Sequence, residues 1–152
     1  GLNDSKKLSE KRREQLFDVI CAQALAWATA SVEAEEIDRI NILNARMKAM
    51  ELAIEALPLQ ADFALVDGNC SRGISCPNKT VVGGDGRSAS IAAASVLAKV
   101  SRDRYVTQVL DQRYPQYQFA KHKGYGTAAH IAALRELGPS PIHRRTFIKN
   151  FV

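Results

Sequence analysis

Asp62-Phe63-Ala64-Leu65-Val66-Asp67-Gly68-Asn69 is the stretch on which the fold turns. Four apolar residues, too few for a helix, run into an Asp-Gly turn signal, so the stretch predicts a fully buried strand that stops at a turn. Downstream, residues 70–79 read as a loop. Residues 80–82 read as a second short strand, closed by Gly83-Gly84-Asp85-Gly86. A long helix follows over residues 88–113, its start rich in small residues (Ala89, Ala92, Ala93, Ala94, Ser95, Ala98) that let a helix lie close to a sheet, and Pro115 stops it. Thr127 is placed to cap a last helix over residues 128–137, which Gly138 and Pro139 close. Upstream, Leu8 and Ser9 open a helix running to about Ala24, with Leu16, Ile20 and Ala24 on its inner face. Residues 25–32 alternate enough to predict a strand. Ile37, Ile40, Leu43, Met47, Met50, Ile54 and Leu57 then mark one helix from Glu33 to Pro58. Strands separated by helices indicate an α/β domain.

The length of 152 residues suits one domain, and 46% hydrophobic with 24% charged residues excludes disordered and collagen-like classes. No apolar run is long enough to span a bilayer and no signal-peptide pattern is present, so no membrane partner is expected. At least one of three cysteines stays unpaired, and Cys70 and Cys76 lack a second pair for zinc, which fits a reduced, cytoplasmic setting. A net charge of +5 favours an anionic partner, nucleic acid among them. The chain begins Gly-Leu-Asn-Asp, without an initiator methionine.

Four features carry possible chemistry. Asp67 stands at the carboxyl end of a strand, where open α/β sheets place ligand-binding groups, although an Asp-Gly pair also simply makes turns. Asp103 shares a helix face with Ser88, Ala92, Ser95 and Lys99, and is either at the rim of the sheet or in a solvated ion pair. Two carboxylates brought to about 4 Å repel by about 4 kcal/mol at an effective dielectric of about 20. A divalent cation between them removes that cost, and oxygen donors without a His or Cys cluster favour Mg²⁺ or Mn²⁺. Lys121-His122-Lys123-Gly124-Tyr125-Gly126-Thr127 sets a tyrosine between glycines after three potentially cationic residues. It suits stacking beside a phosphate, or packing of Tyr125 on its own core. Asn3-Asp4-Ser5-Lys6-Lys7-Leu8 offers hydroxyl, lysine and backbone N–H groups at a helix start, a phosphate seat.

These four stretches, in this order, resemble ribonuclease HII. The resemblance extends over Glu36-Ile37-Asp38 with Asn41-Ile42-Leu43, over Leu65 to Asn69, over Ser90 to Val100 with Arg102-Asp103, over His122 to Thr127, and over His143-Arg144-Arg145-Thr146-Phe147. It implies a ribonuclease H-like mixed sheet flanked by helices and a monomeric, metal-dependent endonuclease. Such an enzyme cuts the RNA strand of RNA–DNA hybrids and nicks duplex DNA 5′ of an embedded ribonucleotide, leaving 3′-hydroxyl and 5′-phosphate ends. The resemblance implies four carboxylates around two Mg²⁺ or Mn²⁺ ions, with Asp67 as the third and Asp103 as the fourth. It implies that Tyr125 stacks on the deoxyribose after the ribonucleotide, and that Ser5, Lys6 and Lys123 contact backbone phosphates.

The first two carboxylates belong to an Asp-Glu-Ala-Gly-Arg-Gly segment on a first strand that has no counterpart here, so residues 1–152 are expected to be a single catalytic domain incomplete at its N-terminus. Losing about three inward side chains at roughly 1.5–3 kcal/mol each would match a whole domain's stability. Gly83 and Arg87 replace residues that are often basic and lysine. Two alternatives follow: a hybrid-binding fragment that is catalytically inert, or the related ribonuclease HIII, against which Lys123-Gly124-Tyr125-Gly126 speaks. Residues 146–152 show no clear clamp-binding motif.

Overall fold

The apolar stretch forms β1 (Ala64–Asp67), and Asn78–Val81 forms β2 beside it in parallel, with Ala64 opposite Asn78 and Asp67 opposite Val81. The computed structural model describes Leu2 and residues 5–152, and these two strands make the sheet among the described residues. The strand is not fully buried as its composition predicts. Val66 is buried, whereas Leu65 and the preceding Phe63 are exposed (45% and 56%), because a two-stranded sheet covers only one face of each strand.

The helices are α1 (Glu10–Gln23), α2 (Ala34–Ile40), α3 (Ile42–Glu55), α4 (Ala89–Tyr105), α5 (Asp111–Arg113), α6 (Phe119–His122), α7 (Ala128–Leu137) and α8 (Arg145–Ile148). Two caps form as the sequence predicts: the Ser9 hydroxyl accepts from Arg12 N, and the Thr127 hydroxyl from His130 N. The single helix expected over residues 33–57 is two. Asn41 adopts φ 69°, which interrupts the intrahelical ladder, and its side chain accepts from Asn44 N to restart it. The expected strand over residues 25–32 does not form: the segment lies outside any helix or strand, with a bend at Leu25. Leu25 is 92% exposed and Trp27 packs edge-on against Phe17, 5.9 Å between centroids; without a neighbouring ladder, alternation alone makes no strand. The helix expected to reach residue 113 loses its α geometry at Tyr105 and widens into a π-helical turn, Val106–Leu110. There Thr107 Oγ1 donates back to Asp103 O (2.9 Å) and Arg104 O (3.3 Å), competing for the helix's own acceptors.

The chain divides into two compact units, residues 1–31 with 46–101, and residues 32–45 with 102–152. In the first, Leu16 and Ile20 of α1 pack with Val96, Leu97 and Val100 of α4, and Leu8 and Ala93 lie against them. Burial of such side chains is worth about 1.5–3 kcal/mol each. In the second, Val106, Leu110, Tyr117, Phe119, Leu134 and Ile148 form the core. Asp38 ties this unit's two segments together: its carboxylate accepts from Arg145 N (2.6 Å), from Thr146 N (3.0 Å) and from the Thr146 hydroxyl. The Thr146 hydroxyl above all lowers the Asp38 pKa, with the two backbone N–H groups adding to it against desolvation.

Candidate metal and nucleic-acid site

In the first unit Asp67 closes β1 with its side chain exposed, directly after buried Val66. The Gly84 N–H donates to its Oδ1 at 2.9 Å, fixing the carboxylate's direction. A Cβ on Gly84 would stand 2.6 Å from Ile91 Cδ1 and 3.3 Å from Asp67 Oδ1. A residue without a side chain is therefore what lets this backbone reach the acid. Ser5 is buried (4% exposed), its hydroxyl sharing a 2.7 Å hydrogen bond with Ser95 Oγ, while Arg13 donates to the carbonyls of Ser5 and Leu8. Lys6 beside it is exposed. Asn3 and Asp4, also part of the expected phosphate seat, lie outside the described residues.

The second unit holds Asp103. It is 7% exposed, so the picture of a solvated surface ion pair does not hold. Arg102 Nη1 lies 3.3 Å from Oδ1 and Lys123 Nζ 3.9 Å from Oδ2. A buried carboxylate is tolerated when it is paired in this way. Lys123, expected on a phosphate, is thus drawn toward the acid. It takes φ 53° at the end of α6, and Gly124 follows at φ 80°.

Tyr125 is 54% exposed, so it does not pack into its own core. The Arg102 guanidinium lies over its ring, 5.2 Å from the centroid. Arg102 therefore touches both the acid and the aromatic ring. Arg144 stacks on Phe147 at 3.8 Å, and burial, then the charge of Arg102, lowers its pKa. Neighbouring guanidinium groups that repel each other are relieved by a shared anion. Neither arginine was singled out from the sequence as a functional residue. Both stand in stretches that carry the family resemblance, Arg102 beside Asp103 and Arg144 in His143 to Phe147, but that resemblance gives neither of them a role.

Among the described residues no group of three His, Cys, Asp or Glu side chains gathers around a point that could hold an ion. Asp67 and Asp103 are the expected ligands that remain, each in its own unit. Both offer hard oxygen donors oriented by neighbours, which fits Mg²⁺ or Mn²⁺ rather than a softer metal. No helix among the described residues is long and apolar enough to cross a membrane.

A family model described as Ribonuclease HII matches residues 1–150. Ribonuclease HII of Dechloromonas aromatica is 56% identical over 147 residues, which are 97% of this chain and 74% of that protein. Ribonuclease HII of Idiomarina loihiensis is 54% identical over 147 residues, 97% of this chain and 78% of that protein. The crystal structure of the ribonuclease H2 from Pyrococcus horikoshii OT3 shares the fold, with a TM-score of 0.71 at 22% identity over 96% of this chain and 76% of that one.

Proposed function

The chain belongs to the ribonuclease HII family, and from that premise we propose that it grips RNA–DNA hybrids and ribonucleotide-bearing duplex DNA while supplying two of the ligands for a Mg²⁺ or Mn²⁺ pair. The observation that carries this is one arginine touching both a buried carboxylate and an exposed ring. Arg102 pairs with Asp103 and covers Tyr125. On this reading the two flanks of the Arg102 side chain adjoin a cation ligand and a stacking surface for a sugar.

Each residue has a role set by its surroundings. Asp67, aimed by the Gly84 N–H, and Asp103, at the end of α4, are the metal ligands. A metal pair held there would supply activation of water and charge stabilisation at the phosphodiester 5′ to the ribonucleotide. Tyr125 stacks on the deoxyribose that follows. Lys123 pairs with Asp103 and is the group that would contact a backbone phosphate. Lys6 reaches a second phosphate, and Ser5 holds the turn from which Lys6 projects through its bond to Ser95.

With two carboxylates where the resemblance implies four, the 152 residues alone bind the duplex and leave it uncut. The experiment mixes the chain with an end-labelled duplex carrying one ribonucleotide. Fluorescence polarisation reads binding, and a denaturing gel reads cleavage in Mg²⁺ or Mn²⁺. Binding that weakens with salt, with no product, is the expected result. Product that vanishes in Asp103→Asn would show that the two acids suffice, and undetectable binding at low salt would overturn the grip itself.

A further inference from the structure

All three histidines of the chain are buried in the second unit: His122, His130 and His143 are 7%, 5% and 7% exposed. Their hydrogen bonds admit one arrangement of protons. A backbone N–H can only donate, and Ser140 N donates to His143 Nδ1 at 3.0 Å. The His143 ring proton is therefore on Nε2, which faces His130 Nε2 at 3.0 Å and donates to it. His130 must then carry its own proton on Nδ1, and that nitrogen lies 2.9 Å from the carbonyl oxygen of Tyr125. The same logic fixes His122: Gly124 N donates to its Nδ1 at 3.1 Å, so Nε2 donates to Tyr117 O at 2.7 Å. The His122 and His130 rings stack, 4.3 Å apart and tilted by 10°. Phe119 closes the cluster edge-on to both.

The relay thus ends on the peptide groups that flank the exposed ring: one histidine holds the Gly124 N–H and another the Tyr125 carbonyl. We infer that His130, oriented by His143 and stacked on His122, is a positioning residue that sets the backbone of Tyr125 and so the direction of its ring. Burial lowers the pKa of His130 and takes that of His143 to about 4, in keeping with rings that are neutral at pH 7. This inference rests on the reading of Tyr125 as the nucleic-acid contact, and the experiment below separates the two.

Two measurements test it. Long-range ¹H–¹⁵N imidazole spectra at pH 7 should show His130 as the Nδ1–H tautomer and His122 and His143 as Nε2–H tautomers; a charged or Nε2–H His130 overturns the inference. Polarisation with the one-ribonucleotide duplex then compares four variants. His130→Leu should weaken binding about tenfold, the scale of one lost stacking contact. His130→Asn, whose amide N–H stands where Nδ1–H stood, should restore most of it. Adding His130→Leu to Tyr125→Ala should cost nothing beyond Tyr125→Ala alone. Additive losses, or no rescue by asparagine, would overturn the inference. If Tyr125→Ala binds normally, the reading of Tyr125 fails. The inference is then decided by the Tyr125 amide and ring resonances of His130→Asn, which must differ from those of His130→Leu. If the leucine variant does not fold, the tautomer spectrum and the asparagine variant's binding decide.

Discussion

Acid should unfold this protein through His143. The ring is buried, it accepts from Ser140 N, and its other nitrogen faces another ring nitrogen. Burial first, then the neighbouring His130, lowers its pKa from 6.5 to about 4. In the unfolded chain the ring regains an ordinary pKa, so between the two values the unfolded state binds a proton that the folded state refuses. Stability therefore rises with pH across that window. It is fully present above about 6.5 and falls as pH drops through about 4. At about 1.4 kcal/mol per unit of difference, the loss from this group is about 2 kcal/mol by pH 5 and about 3 kcal/mol by pH 4. Urea unfolding at pH 7, 5 and 4 measures it, with His143→Gln as the comparison. Glutamine keeps a donor toward His130 but cannot titrate. The unsubstituted chain should lose about 3 kcal/mol more than the glutamine variant between pH 7 and pH 4. Parallel losses in the two proteins would refute the reasoning, because carboxylate protonation is common to both.

Three further outcomes follow from the packing. Gly84→Ala should destabilise by about 1–3 kcal/mol, and Ile91→Val, which removes the atom the new methyl meets, should recover part of that in the double variant; thermal unfolding that shows strict additivity refutes the close contact at 2.6 Å. Thr127→Ala removes the α7 cap on His130 N and should cost about 1 kcal/mol, read as a lower Tm, with no change if the cap is idle. Arg102→Ala should weaken duplex binding and lower the slope of log K against log salt by about one unit if Arg102 meets a phosphate; an unchanged slope assigns Arg102 to Asp103 and Tyr125 alone.

What could be read from the sequence was local. Ser9 and Thr127 cap helices because a cap bonds three residues ahead, so neighbours in the chain suffice to predict it. The exposure of Tyr125 was legible as one of two options, its flanking glycines leaving nothing to bury it. Partners distant in the chain were not legible. Residues 25–32 have the alternation of a strand, yet a strand exists only through its neighbour. Asp103 reads as a surface ion pair because neither its burial nor its pairing with Lys123, twenty positions on, is set by its neighbours in the chain. Asn41 fits the apolar stripe on either side of it, and only its positive φ shows the break. His122 and His143 stand in stretches that carry the family resemblance and His130 in none, but nothing in their spacing announces a cluster: the relay exists only once α6, α7 and the segment before α8 are folded.

The carboxylate of Asp38, which accepts from groups 107 and 108 positions further along, has a consequence for the order of assembly. A contact spanning that much chain forms late, since the entropy of closing the loop must be met before the contact returns anything. During synthesis α2 leaves the ribosome long before its counterpart in α8 exists, and everything from Asp38 to Thr146 must emerge before the second unit can close. Removing residues 145–152 should therefore harm a helix 107 positions earlier, so proteases would find residues 34–40 first in a chain cut before α8.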